Sequence, residues 1–327
     1  MDHSLPPFLS PFNEIPSSEY SKSYQHATFH HENDLGSSHA IWWSPCEAEY
    51  REPDIVLLFI PGNPGLAEFY IPFLSMIKSF NSSRNIAIMA HSHLDHHARI
   101  NNVGSRYPQE QSLTIQVECA LEVLMAIKQH YSSKTKIVVI GHSVGAWISL
   151  QMLKASPAII TASFLLFPTL SHIAQTPNGR RLSPIFSGVG RSLLSWCSPV
   201  TGYFPRCAFS RIFPSWPQSQ ILVLRDFLSS QSCVLASLSM AKQEMSTITD
   251  LDVAFLSQHT SQLFFYYGQK DDWVGEEKQA LIQCFDSGNE LMNVAHGPPD
   301  VPHAFCINHS ETVAKQCYEW LDRLLGN

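Results

Sequence analysis

Charge is scarce in this 327-residue chain: Asp, Glu, Lys and Arg together make up 15% of it, and no acid occurs from Val123 through Arg225. The net charge is −7, which removes the broad electrostatic attraction of a nucleic-acid binder. The eight cysteines form no C-x-x-C pair, which argues against a disulfide framework and for a reducing compartment. Met1-Asp-His-Ser-Leu-Pro-Pro has neither the basic nor the apolar stretch of a secretory signal, so none is expected. No uninterrupted apolar run reaches the roughly 18 residues of a membrane-spanning helix. What is present is apolar: 44% of residues are hydrophobic, enough for one large α/β domain with an insertion, or for two domains.

Residues 1–20 are rich in Pro and Ser and read as irregular. Tyr24–Phe29 and His39–Trp43 read as an opening hairpin. Buried strands are predicted at Asp54–Ile60, Asn85–Ala90, Ile137–Ile140, Ile160–Phe167 and Gln262–Tyr267, and a last strand at Asn289–Ala295. Helices are predicted at Glu68–Phe80, Gln111–Tyr131, after Val144 and at Glu311–Leu325. Strands alternating with helices at this spacing predict an α/β fold with a mostly parallel, doubly wound sheet. The alternation stops between Pro168 and Ser261. The core is therefore assigned to 21–167 and 262–327, and 168–261 to an inserted apolar cap.

Gly141-His-Ser143-Val-Gly145 follows the strand Ile137–Ile140 directly and opens an apolar helix. Strand, sharp turn and helix are the setting in which Gly-x-Ser-x-Gly exposes a nucleophilic serine. The hydroxyl needs a base, and the base needs an acid to hold its tautomer. In this fold the chain order is Ser, acid, His. Asp271, at the end of strand Gln262–Tyr267, is the candidate acid, with Asp272 as competitor. An Asp pair capping a helix that starts near Glu276 is the structural alternative. His303, in the loop Gly297–Phe305, is the candidate base, with His296 and His309 as alternatives. An oxyanion hole needs two donors. Val144 N–H, at the start of the helix, and Asn63 N–H, in the loop Pro61–Gly65, are the candidates.

One motif competes. His91-Ser-His93-Leu-Asp95-His96 follows a strand with a spacing similar to the dinuclear zinc motif of metallo-β-lactamase-like hydrolases, and imidazole and carboxylate suit zinc. A single wound sheet is not the sandwich on which those enzymes build the site. No metal and no cofactor are expected.

The combined motifs resemble the lipid droplet-associated hydrolases. The resemblance rests on Pro61-Gly-Asn-Pro-Gly-Leu-Ala-Glu-Phe-Tyr70, Gly141–Gly145, Leu166-Phe-Pro-Thr169, Thr176-Pro-Asn-Gly179, Tyr267-Gly-Gln-Lys-Asp271 with Trp273, and Pro302-His303-Ala-Phe305. It runs from about Ile55 to the C-terminus. It implies an α/β-hydrolase fold, serine ester or lipid hydrolysis, and residence on lipid droplets and the cytosolic face of the endoplasmic reticulum. By motif position it makes Ser143 the nucleophile, Asp271 the acid and His303 the base. It also places His93 and His96 on a His-rich loop, away from a zinc role. Asp95 stands where the family tends to have a small residue, and Val274-Gly275 replaces its usual Cys/Val-Pro.

The insertion carries its own signal. Six arginines lie between Arg180 and Arg225 with no lysine, interleaved with aromatics that include Trp196, Phe204, Phe213 and Trp216. Rings and arginines without acids suit a lipid interface, and these four residues are the candidate surface contacts. Repeated prolines keep each piece short, so the segment suits a monolayer. The leading expectation is a serine hydrolase acting through an acyl-enzyme on neutral lipid or sterol esters at the droplet monolayer or the endoplasmic reticulum surface. The alternative is a droplet-binding protein with little or no turnover. A third reading is the zinc hydrolase.

Overall fold

The structure is a computed structural model that describes residues 5–12, 23–32, 35–45, 52–100, 102, 109–274, 278–279 and 293–326. Its strands are β1 (Ser10–Pro11), β2 (Gln25–His30), β3 (Ser37–Trp43), β4 (Ile55–Ile60), β5 (Ile86–His91), β6 (Lys136–His142), β7 (Ile160–Leu166), β8 (Leu263–Tyr267) and β9 (Val294–His296). They form one sheet in the order β1-β2-β3-β5-β4-β6-β7-β8-β9. The first three strands are antiparallel additions to one edge, and β5 through β9 run parallel. A mostly parallel sheet with antiparallel strands at one edge and helices on both faces is the α/β-hydrolase fold.

The central strands are uniformly apolar because both faces of the sheet are covered. All six residues of β4 are buried, and they alternate between two cores. Val56, Leu58 and Ile60 meet Leu113, Ala120, Leu124 and Ile127 of α2 (Ser112–His130) and Ala146 and Ile148 of α3 (Val144–Ala155). Ile55, Leu57 and Phe59 meet Phe73, Leu74 and Ile77 of α1 (Ile71–Phe80), and Val313, Cys317 and Trp320 of the C-terminal helix. The 3.6-residue spacing of those helical residues gives each helix one apolar stripe for one sheet face. Each fully buried Val, Leu, Ile or Phe among them contributes roughly 1.5–3 kcal/mol relative to remaining exposed.

Two predicted elements differ in detail. The segment 1–20 was expected to be irregular, yet Ser10 and Pro11 pair with Thr28 and Ala27 on the sheet edge. Leu9 and Phe12 on either side are buried, and they anchor the pair. Residues 1–4 and 13–20 lie outside the described residues. The predicted helix Glu68–Phe80 begins as a 3-10 turn at Ala67–Tyr70 and becomes α1 at Ile71. Pro72 suits the first turn of α1, where a missing N–H leaves no helical bond unmade. Of the last predicted strand, 289–292 lie outside the described residues, and β9 starts at Val294 and runs one residue past its predicted end. Gly275 and Glu276 also lie outside them.

Between β7 and β8 the chain is helical: α4 (Pro177–Leu182), α5 (Gly188–Cys197), α6 (Arg206–Ile212), α7 (Gln218–Leu228), α8 (Gln231–Thr247) and α9 (Val253–Gln258). The closing helix is α10 (Ser310–Leu325). Among the described residues no single helix is long and apolar enough to cross a membrane. Taken as a pair, α7 and α8 pass on length and composition, but they bend by 92° at their junction. Phe227 of α7 and Cys233 and Val234 of α8 sink into the same core as α1 and α10.

Candidate active site

β4 and β6 lie side by side, with Ile60 opposite Gly141, so the loops that leave their C-terminal ends meet. Crossovers diverge at this point, β5 lying on one side of β4 and β6 on the other, which is where such sheets open a crevice. Ser143 stands in the turn between β6 and α3 with φ 56°, a left-handed conformation unusual for a residue with a side chain. The turn is possible because its flanks are glycines. A Cβ on Gly145 would lie 2.2 Å from Ile60 O, and one on Gly141 would lie 2.3 Å from Gly145 O.

Ser143 Oγ lies 2.9 Å from His303 Nε2, and His303 Nδ1 lies 2.7 Å from Asp271 Oδ2. The other carboxylate oxygen, Asp271 Oδ1, accepts from Trp273 N–H at 2.9 Å. That bond orients the carboxylate so that its free face meets the imidazole. The Asp271 side chain is 5% exposed. Asp272, one residue on, faces solvent. His296 is exposed on β9, and His309 sits 3.8 Å from Asp300. The structure therefore gathers Ser143, His303 and Asp271 and leaves the alternatives outside. With Nδ1–H donated to Asp271, Nε2 is free to take the serine proton.

Val144 is the first residue of α3, where a backbone N–H has no partner within the helix. The loop after β4 approaches from the opposite side. A Cβ on Gly62 would lie 2.9 Å from Ser143 Cβ, so glycine lets the backbone of Gly62 and Asn63 line the serine. Gly62 N–H donates to Tyr70 Oη at 3.1 Å. Tyr70 Oη lies 2.7 Å from His142 Nδ1, and His142 Nε2 lies 3.0 Å from the carbonyl of His303. Only one tautomer satisfies this chain: Nε2–H donates to the carbonyl, and Nδ1 accepts from the tyrosine. Burial lowers the His142 pKa well below its ordinary value, with His303 adding to the effect, so the ring is neutral as that tautomer requires. Tyr70 and His142 thus tie the loop of Gly62 to the loop of His303. Sequence reasoning did not assign them this role, although both lie inside the motifs it used.

The His-rich segment after β5 supports that loop from behind. His93 N–H donates to Gly65 O at 2.8 Å, and His96 Nδ1 bonds Pro64 O at 2.7 Å. Asp95 accepts from Asn102 Nδ2, and His91 Nε2 lies 3.4 Å from His31 Nε2. His91, Asp95 and His96 are engaged in these contacts, His93 Nε2 is buried without a hydrogen-bond partner, and the four side chains do not converge as metal ligands. Among the described residues one other set brings ligand atoms within 4.8 Å of each other: His39, Glu68 and His97. There Arg99 N–H donates to His97 Nδ1, which leaves Nε2–H to donate to Glu68 Oε1 at 2.7 Å. A nitrogen that carries a proton is not a ligand, so this set reads as a hydrogen-bonded cluster. The Glu68 carboxyl is held below its ordinary range, burial opposing its ionisation and the hydrogen bond from His97 Nε2–H favouring it.

Above Ser143 lies a cavity of about 410 Å³ whose walls are apolar, with Phe69, Phe186, Trp216, Leu238 and Met245 prominent. Its charged wall member is Glu244, whose pKa burial raises to about 7. The four residues expected at a lipid surface divide. Trp196 and Phe204 are 72% and 50% exposed, beside Tyr203 at 88%. Trp216 is half-buried, edge-on to Phe69, and Phe213 is half-buried against Trp216 at 4.8 Å. Trp216 and Phe213 thus turn inward. The bend at Pro214 and Pro217 folds this piece back over the cavity, a direction that composition does not encode.

Residues 53–306 match the family model described as lipid-droplet associated hydrolase. The lipid droplet-associated hydrolase of Pongo abelii is 29% identical over 292 residues, covering 81% of this chain and 83% of that protein. The Homo sapiens protein of the same name is 28% identical with the same coverage. Among solved structures, a hydrolase from Oleispira antarctica, olei00960, superposes with a TM-score of 0.61 at 12% identity, covering 90% of this chain and 98% of that one.

Proposed function

We propose, for a chain that belongs to the lipid-droplet associated hydrolase family, a serine ester hydrolase that acts on neutral lipid or sterol esters at the droplet surface. The observation that carries this reading is the Ser143–His303–Asp271 arrangement at the floor of an apolar cavity. In the first half-reaction Ser143 Oγ attacks the ester carbonyl carbon while its proton passes to His303 Nε2. The carbonyl oxygen becomes an oxyanion, received by the N–H groups of Asn63 and Val144. The C–O bond to the alcohol breaks, and the alcohol leaves with the proton from His303. In the second half-reaction His303 deprotonates a water, which attacks the acyl-enzyme and releases the acid. Asp271 keeps His303 Nδ1 protonated throughout and stabilises the imidazolium. The apolar walls suit an acyl chain or a sterol ring and give no reward to a polar acyl group.

The helical insertion 168–261 serves in this account as a cap. Its outward face presents Trp196, Tyr203 and Phe204, which suit headgroup depth in a monolayer on the droplet or on the cytosolic leaflet of the endoplasmic reticulum. That face also favours the second reading, a droplet-binding protein with little turnover, because surface binding needs no catalytic serine. One experiment separates the two. Triolein and cholesteryl oleate are presented as phospholipid-coated emulsions, with release of fatty acid and flotation of the protein measured together. Wild type is expected to float and release acid. Ser143→Ala is expected to float without releasing acid. The pair Trp196→Ser and Phe204→Ser is expected to reduce flotation at least about threefold while retaining hydrolysis of a soluble short-chain ester. Flotation without acid release in wild type is the result of the second reading.

A further inference from the structure

The side chain of Asn63 reaches into the insertion. Its Nδ2 donates to the carbonyl of Ser237 at 2.9 Å and to Glu244 Oε1 at 2.8 Å. Its Oδ1 accepts from Ser237 Oγ at 2.5 Å. Both partners sit on α8, 174 and 181 residues along the chain. Every polar group of the amide is thereby used, and all three bonds go to one helix. A primary amide is a planar group with two donors and an acceptor, so three bonds to one rigid element define its position and its plane.

Glu244 is a costly residue to place here. It is 5% exposed in a mostly apolar wall, where a carboxyl gains nothing from packing that Leu or Met would not supply. Its bond to Asn63 is the return for that cost, and it survives in either protonation state, because a carbonyl oxygen of the neutral acid still accepts. A buried acid with a single named partner in the oxyanion loop is the signature of a group kept for placement.

We infer that α8 holds the oxyanion loop in its working position through the side chain of Asn63, with Glu244 and Ser237 as positioning residues, so that the seating of the insertion on the sheet sets the oxyanion hole. The inference rests on the hydrolase reading above for its effect on rate, though not for the contact itself. A backbone N–H that serves an oxyanion must lie within a few tenths of an ångström of its place, and the loop's own glycines and prolines do not supply side chains to secure it.

Two measurements test the latch. The first is steady-state hydrolysis of p-nitrophenyl butyrate. Glu244→Ala is expected to lower kcat about 10- to 100-fold with KM changed less than about threefold, since the loosened donor acts on the transition state. Glu244→Gln keeps an acceptor for Asn63 Nδ2 and is expected to stay within about threefold of wild type. Equal loss in the Ala and Gln variants, or no loss in Ala, overturns the assignment. The second is urea unfolding of Asn63→Ala, Glu244→Ala and the double variant. The double variant is expected to shift the midpoint by clearly less than the sum of the single shifts, because both singles break the same contact. Additive shifts overturn the latch. If wild type lacks Ser143-dependent hydrolysis, the functional reading fails while the unfolding cycle still decides the contact.

Discussion

Asp271→Asn is expected to lower kcat about 10⁴-fold while leaving the fold and the thermal midpoint close to those of wild type. The reason is a tautomer. Asp271 Oδ1 accepts from Trp273 N–H, and an asparagine there keeps its carbonyl oxygen on that donor. Its NH₂ group then faces His303 Nδ1, in place of the oxygen that now stands 2.7 Å away. A donor on that side requires Nδ1 to accept, which moves the ring proton to Nε2, facing Ser143. A protonated Nε2 cannot take the serine proton. Stopped-flow or steady-state hydrolysis of p-nitrophenyl butyrate reads the effect. A loss below about tenfold shows that the carboxylate is not the tautomer-holding partner.

The second large effect is on acid stability. Burial lowers the pKa of His26 and His96 to about 4, and drives those of His39, His91, His93 and His142 further below the ordinary 6.5. An unfolded chain protonates these rings near 6.5, whereas the folded chain resists until far lower pH. Their contribution is complete above pH 6.5 and is lost progressively as pH falls toward 4 and beyond. His96 alone accounts for about 3 kcal/mol over that interval. Glu244 works in the opposite sense. Its folded pKa of about 7 exceeds the ordinary 4.5, so its contribution is complete below 4.5 and lost as pH rises through 7. One acid offsets about one histidine, and several histidines remain. His26 and His96 together outweigh Glu244, and the other four rings act in the same direction. The protein is expected to unfold between pH 6 and 4 in a steep transition that takes up several protons, followed by tryptophan fluorescence and circular dichroism. Retention of the native signal at pH 4 contradicts the buried, neutral state of these rings.

The fold was legible because its signals are local. An apolar β-branched run such as Ile55–Ile60 is a parallel strand covered on both faces, and a 3.6-residue stripe such as that of α2 is a helix covered on one. Ser143 was legible from the glycines that its strained turn demands, and His303 and Asp271 from chain order in loops after strands. What stayed hidden depends on which way a short segment turns in space. Trp216 and Phe213 have the same composition around them as Trp196 and Phe204, and only the fold-back at Pro214 and Pro217 separates wall from surface. The two-residue strand β1 exists because β2 offers an open edge and Leu9 and Phe12 find pockets, neither of which a Pro- and Ser-rich stretch announces. Tyr70, His142, Ser237 and Glu244 act through hydrogen bonds between residues far apart in sequence. No periodicity or spacing encodes such pairs. The H-x-H-x-D-H spacing suggested zinc for the same reason, since ligand types in a row say nothing about whether their atoms converge.

The central claim is that Ser143 is made nucleophilic by His303. Intact-mass analysis after treatment with a fluorophosphonate, followed by mapping of the modified peptide, tests it most directly, because the probe reports the activated hydroxyl whatever the natural ester is. A single adduct on Ser143 is expected in wild type, none in Ser143→Ala, and labelling slowed at least about 10³-fold in His303→Ala. Adduct formation at another residue, or equal rates in wild type and His303→Ala, contradicts it.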